Sequence, residues 1–234
     1  MIEFLNVNYN SLLEKDASEL FSLRKKTFKD RLDWMVDCKE NMEFDVYDNE
    51  NTTYILGVYG DVIFCSLRFI ETIHPNMITD TFQPYFNNII LPKGAFVEAS
   101  RLFVDKNLIH SYQLHRYPIS HILFLSMINY AERFNYQGIY AIVSHPMLII
   151  FQRSGWEILV IQNGVSEKRE NIYLIYMPVD KHNQEILIKR INEKMKISGG
   201  CLDAWPLSIT LRGYGSDKPQ LNAKSYSMLG VSDT

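Results

Sequence analysis

Residues 53–69 read TYILGVYGDVIFCSLRF. Thr53 to Tyr59 and Val62 to Phe69 are β-branched and aromatic runs, and Gly60-Asp61 between them supplies a two-residue turn, so the stretch predicts a β-hairpin. Outward from it, Ala95 to Val104, Ile139 to Val143, Trp156 to Gln162 and Ile172 to Met177 read as further strands. Helical periodicity marks four segments. Ser11-Leu12-Leu13-Glu14 has capping-box spacing ahead of Leu13, Ala17, Leu20, Arg24 and Phe28. Ile119 to Phe134 follows Pro118, Pro146 to Ser154 is closed by Gly155, and Asp180 to Lys196 turns Ile186, Leu187, Ile191 and Met195 inward. The order is helix, hairpin, strand, helix, strand, helix, strand, strand, with the charged helix following. Such an order predicts an α/β sandwich built on one mixed, mostly antiparallel sheet flanked by helices. Residues 30–51, punctuated by Trp34, Met42 and Phe44, read as a long ordered loop.

A chain of 234 residues with 47% hydrophobic side chains can bury one substantial core. One domain is expected over residues 1–212, followed by a flexible tail, 213–234, rich in Gly, Ser, Asp and Asn. The net charge of -3 offers no global attraction to nucleic acid or to an anionic membrane. Cys38, Cys65 and Cys201 are odd in number and lack metal or disulfide spacing, and the six histidines share no ligand spacing, so no metal is expected. The N-terminus lacks a basic region followed by an apolar stretch, and no apolar run reaches the roughly 18 residues of a membrane helix. A cytoplasmic protein is expected.

Some charges fall where a core does not want them. Arg68 lies near the end of a hydrophobic strand, and Glu98 and Arg101 lie inside FVEASRLF, residues 96–103. Burying charge is costly unless it is paired. Strand alternation puts Glu98 and Ser100 on one face and Arg101 on the other. With Arg24 from the first helix and Asp45 and Asp48 from the loop, three arginines and three carboxylates are available for one polar cluster; ordinary surface ion pairs are the other reading.

Arg24-x-x-x-Phe28, Trp34, Asp45-x-x-Asp48, Arg68, Phe82 and Glu98-x-Ser100-Arg101 together resemble the LuxI-type acyl-homoserine lactone synthases in order and spacing. The resemblance continues through Tyr117-Pro118-Ile119-Ser120, Ile142-Val143-Ser144, Arg153-Ser154-Gly155-Trp156 and Trp205-Pro206-Leu207, covering roughly residues 1–210. It implies a fold similar to the GCN5-related N-acetyltransferases. It also implies an acyl-carrier-protein thioester and S-adenosylmethionine as substrates, with no resident cofactor, and an acyl-homoserine lactone used in quorum sensing as a product beside 5′-methylthioadenosine.

On that resemblance Glu98, Ser100 and Arg101 are the candidate catalytic residues, with Glu98 as the base that frees the substrate amine. Arg24, Phe28, Trp34, Asp45, Asp48, Arg68 and Phe82 are the candidate substrate-binding residues. Ser100, Met127, Ala141, Val143, Met147 and Phe151 are the candidate lining of an acyl pocket, located where the third strand and the strand Ile139 to Val143 would splay. Alanine at 141, where members that favour a 3-oxo chain tend to carry threonine, leans toward an unsubstituted chain. Residues 105–111 read DKNLIHS, without the glycines of a pyrophosphate cradle, which favours a carrier protein over coenzyme A. A general N-acyltransferase that forms no lactone, and a non-catalytic ligand sensor, remain as alternatives.

Overall fold

The computed structural model of the chain describes residues 1–195 and 201–211. It contains, in chain order, β1 (Ile2–Asn8), α1 (Glu14–Lys25), β2 (Cys38–Lys39), β3 (Met42–Glu43), β4 (Thr52–Tyr59), β5 (Val62–Glu71) and β6 (Phe96–Val104). There follow α2 (Lys106–Ser111), α3 (Ile119–Arg133), β7 (Gly138–Ser144), α4 (His145–Ser154), β8 (Leu159–Val165), β9 (Asn171–Pro178), α5 (Lys181–Lys194) and β10 (Leu207–Ile209). The long strands form one eight-stranded sheet in the order β10-β1-β4-β5-β6-β7-β9-β8. Every neighbouring pair is antiparallel except β6 and β7. This is the expected α/β sandwich.

The sheet is apolar on both faces, because each has its own cover. On one face Ile55, Phe69, Val97, Ala99, Ile139, Ala141, Val143 and Ile175 pack with the nearly all-buried α3 and with residues of α4 and α5. On the other, Tyr54, Leu56, Val58, Ile63 and Phe103 meet Leu20, Phe21 and Leu23 of α1. Over β7 and β9 that second face is covered by the irregular segment between β5 and β6, through Ile78, Phe86 and Ile89. Fully burying one such side chain stabilises the fold by about 1.5–3 kcal/mol relative to leaving it exposed.

The parallel pair is short. β6 and β7 are paired only at Phe96↔Gly138, Val97↔Ile139 and Glu98↔Tyr140. Beyond Glu98 the two strands are no longer paired, which opens the sheet at the point where a splay was expected.

Several expectations are corrected. The chain opens on a strand, not a helix: Ile2 and Phe4 turn inward and β1 pairs with both β4 and β10. Ser11 ends a 3₁₀ turn, while Leu13, the residue before α1, is exposed and makes no side-chain cap, so the capping box does not form. Trp156 precedes β8 as a buried anchor whose indole N–H donates to the Pro178 carbonyl, which moves that strand toward residue 165. The tail expected at 213–234 lies outside the described residues.

Close backbone approach explains one glycine. A Cβ on Gly57 would overlap the Cys65 sulfur and come within 2.9 Å of the Phe4 ring. Gly57→Ala is therefore expected to cost about 1–3 kcal/mol by overpacking. Urea unfolding checks this, and an unchanged midpoint refutes it.

Candidate active site

The candidate residues gather where α1, the loop before β4, and strands β5 and β6 meet. α1 runs without a break into a π-helical turn, Lys26–Arg31, which winds wider than an α-helix and buries Thr27 and Phe28. Trp34 then folds back, its N–H donating to the Phe28 carbonyl at 2.8 Å. Its indole stacks on the Phe28 ring at 5.1 Å while keeping 38% of its surface exposed.

Beside this stack lies a buried ionic lattice. Arg24 donates from Nε to Glu43 at 2.5 Å and from Nη1 and Nη2 to the two Asp48 oxygens at 2.7 and 3.0 Å. Arg68 donates from both terminal nitrogens to Asp45 and from Nε to the Ser100 hydroxyl at 3.1 Å. Arg101 closes the lattice, from Nε to Glu43 at 2.9 Å and from Nη2 to Asp45 at 2.8 Å. The Tyr54 hydroxyl and the Asp45 N–H add two donors to Asp48. Three guanidiniums face three carboxylates, so the buried charge is balanced. Although burial opposes ionisation, the adjacent Arg24 and Arg68 hold Asp48 well below the usual carboxylate range.

One expectation fails here for a backbone reason. Arg101 does not point away from Glu98 and Ser100. Between Ser66↔Phe103 and Arg68↔Ser100, β6 carries one residue more than β5, and Arg101 takes a left-handed φ of 53°. This β-bulge re-aims Arg101 into the lattice. A side chain other than glycine at positive φ stores strain, which is characteristic of functional sites.

Glu98 is also placed differently from the expectation of a carboxylate paired with arginine. It is 2% exposed and forms no ion pair among the described residues; the third carboxylate of the lattice is Glu43, which the sequence reading missed. Alternation in Glu43-Phe44-Asp45 was the available signal, since it puts positions 43 and 45 on one side of a strand. Among the described residues Glu98 instead accepts one hydrogen bond, from the Met77 N–H to Oε2 at 3.0 Å. Desolvation raises its pKa to about 7, against the lowering by Arg68, the Met77 amide and Arg101. A buried carboxyl poised near neutrality is suited to proton transfer.

The candidate acyl lining divides between two faces. Met127, Ala141, Val143 and Phe151 are buried together in the α3 face, with Met147 packed against them and Phe151 stacked on Phe124 at 4.4 Å. Ser100 lies on the opposite face, sharing alternation with Glu98 and holding Arg68. The six therefore do not form one wall. Phe82 packs with Tyr47, Ile70 and Met77 on one side and with the cover over β7 and β9 on the other.

Comparison with known proteins decides the family. The autoinducer synthase family pattern matches residues 8–187. The chain belongs to the autoinducer synthases. An acyl-homoserine-lactone synthase of Serratia liquefaciens is 63% identical over 194 residues, 82% of this chain and 97% of that one. Another from Pectobacterium carotovorum subsp. carotovorum is 54% identical over 209 residues, covering 89% and 97%. In fold, this autoinducer synthase resembles a CoA-dependent acyl-homoserine lactone synthase solved with SAM and isopentyl-CoA: the TM-score is 0.71 at 20% identity, covering 82% of this chain and 90% of that one. An acyl-CoA N-acyltransferase from Pseudomonas aeruginosa gives a TM-score of 0.53 at 12% identity, covering 76% and 99%. The synthase is an acyltransferase on a fold shared with other N-acyltransferases.

Proposed function

We propose that this synthase moves an acyl chain from an acyl-carrier protein to the α-amine of S-adenosylmethionine and then closes the lactone, acting in the cytoplasm. The observation that carries the reading is Glu98: a buried carboxyl outside the ion pairs, beside a charge-balanced lattice, at the last paired position before β6 and β7 part. Its Oε2 is engaged by Met77, and Oε1 has no hydrogen-bond partner among the described residues, leaving an acceptor for an amine proton. An α-ammonium has a pKa of about 7.7–8.0, so a base near 7 transfers its proton with little mismatch.

In the first step Glu98 takes a proton from the α-ammonium, directly or through a water. The freed nitrogen attacks the thioester carbonyl carbon. An N–C bond forms, the tetrahedral adduct collapses with cleavage of the thioester C–S bond, and the remaining excess proton on nitrogen passes to the departing sulfur, which leaves as the carrier's thiol. In the second step the substrate's carboxylate attacks the side-chain carbon bonded to the sulfonium. A C–O bond forms, the C–S bond breaks, and neutral methylthioadenosine leaves, carrying the electron pair on sulfur. Ring closure depends on a held, folded methionine chain. In this reading the lattice of Arg24, Asp45, Asp48, Arg68 and Arg101 forms a rigid polar wall beside the methionine portion of the substrate, and the Phe28–Trp34 stack receives the nucleoside. The apolar group of Met127, Ala141, Val143, Met147 and Phe151 takes the acyl chain, entered through the splay.

A carrier-protein donor is supported at the start of α2. There the Asp105 carboxylate accepts from the Asn107 and Leu108 amides at 2.8 and 2.9 Å and from Lys26 at 2.7 Å. Amides that would hold a pyrophosphate already hold a carboxylate, whose charge repels another anion. Supplied with S-adenosylmethionine and matched acyl groups on carrier protein or on coenzyme A, the purified enzyme is expected to release lactone and methylthioadenosine preferentially from the carrier. Equal or faster turnover with coenzyme A refutes the donor assignment. Acylated amine without methylthioadenosine would identify a plain N-acyltransferase, and absence of turnover a sensor.

A further inference from the structure

Asn76 is completely buried in the irregular segment between β5 and β6, yet no part of the reaction above uses it. Among the described residues, every hydrogen bond of its side chain goes to the backbone around it. Oδ1 accepts from the Ile78 and Thr79 amides at 3.1 and 3.2 Å, and Nδ2 donates to the His74 carbonyl at 2.9 Å. This is an Asx turn, in which a short amide side chain shapes the backbone that follows it. The residue inside the turn is Met77, whose N–H is the one that reaches Glu98. On either side the turn is pinned by burial, Met77 against Tyr47 and Ile70, and Ile78 against Phe86 and Leu174. The Met77 sulfur also lies 3.3 Å from Nη1 of Arg101.

We propose that Asn76 is a positioning residue for the catalytic base: it shapes the turn that aims the Met77 N–H at the Glu98 carboxylate and so sets the pH at which the enzyme becomes active. The proposal rests on reading Glu98 as the base. A hydrogen bond donated to the ionised form favours that form, so the Met77 amide opposes the desolvation of Glu98. The other groups facing Glu98 are Arg68 from β5, Arg101 from its own strand, and Asp45 and Tyr47 from the loop before β4. Tyr140 of β7 stands opposite it in the sheet. None of these takes a hydrogen bond from Asn76.

The test is the pH profile of kcat/KM for the full chain, from pH 5.5 to 9, with methylthioadenosine release as the readout. In Asn76→Ala the acidic limb is expected to move upward by about 0.5–1 pH unit, a roughly three- to tenfold loss near pH 6. The alkaline plateau should fall by less than about threefold, because the base is still present and ionised there. Asn76→Ser keeps an acceptor for the turn and should give an intermediate midpoint. A general loosening of the fold would lower the plateau and leave the midpoint where it is. If Asn76→Ala does not fold, the serine variant decides. An unmoved midpoint in the folded variants overturns the assignment. Glu98→Gln, run beside them, separates the two ideas: if it retains the acidic limb, the reading of Glu98 has failed; if it abolishes the limb while the Asn76 variants leave it unmoved, only the role of Asn76 has.

Discussion

Glu98→Gln is expected to lower kcat/KM for lactone formation by about 10²–10⁴, the range typical of losing a positioned general base. Glutamine preserves volume and can still accept the Met77 N–H through its carbonyl oxygen, so the loss reports the missing base and not a collapsed site. The KM for S-adenosylmethionine should change little, because the carboxylate is asked to act in the transition state. The parent enzyme should gain activity as pH rises through about 7, where Glu98 ionises, and the variant should lack that rise. Steady-state kinetics on both proteins settles the matter, and a variant that keeps a third or more of the parental kcat/KM would remove Glu98 from the mechanism.

The same group leaves a mark on stability. Its folded pKa, about 7, lies above the ordinary 4.5. Its contribution is therefore fully present below pH 4.5 and is lost as pH rises through 7. Over that window ionisation of the buried carboxyl withdraws on the order of 3 kcal/mol. Glu98→Gln carries no such burden, so its stability relative to the parent should improve from pH 5 to pH 8. That pattern, an inactive variant that is more stable in mild alkali, is what a functional charge held against burial produces.

Asp48→Ala is expected to cause the largest loss of stability, about 3–5 kcal/mol, because it leaves buried guanidinium charge uncompensated. Asp48 is bonded by Arg24, by the Tyr54 hydroxyl and by the Asp45 amide, and its Oδ1 lies 3.0 Å from Arg68. Arg24 and Arg68 are themselves 1% and 0% exposed, so water cannot replace the missing carboxylate without opening the site. For a chain of this size the loss corresponds to a fall in Tm on the order of 10 °C by calorimetry. A fall of less than about 2 °C would show that the lattice is not a stabilising unit. The sign with pH is opposite to that of Glu98. The folded pKa of Asp48 is depressed, so its contribution is present above the ordinary carboxylate range and is lost as pH falls toward the depressed value. Parent and variant should therefore converge in strong acid.

The hairpin, most of the strands and helices after it, and the family were legible in the residues alone, although α2 and β10 were not. Those features are written in local periodicity, turn chemistry and the spacing of charged residues, which act over a few positions at a time. The sequence also brought forward Arg24, Asp45, Asp48, Arg68 and Arg101, since charges inside apolar runs need partners and the structure brings these five together. How they are partnered was settled by packing. A single extra residue in β6 turned Arg101 through a left-handed φ onto the lattice, against the alternation read from the sequence. There it meets Glu43, which Arg24 also holds, as the third carboxylate, and Glu98 forms no ion pair among the described residues. The raised pKa of Glu98 comes from burial, and the hydrogen bond that opposes it comes from a residue 21 positions away whose side chain takes no part in it. A backbone amide looks the same at every position of a sequence, and what it donates to is settled only when the chain around it has packed.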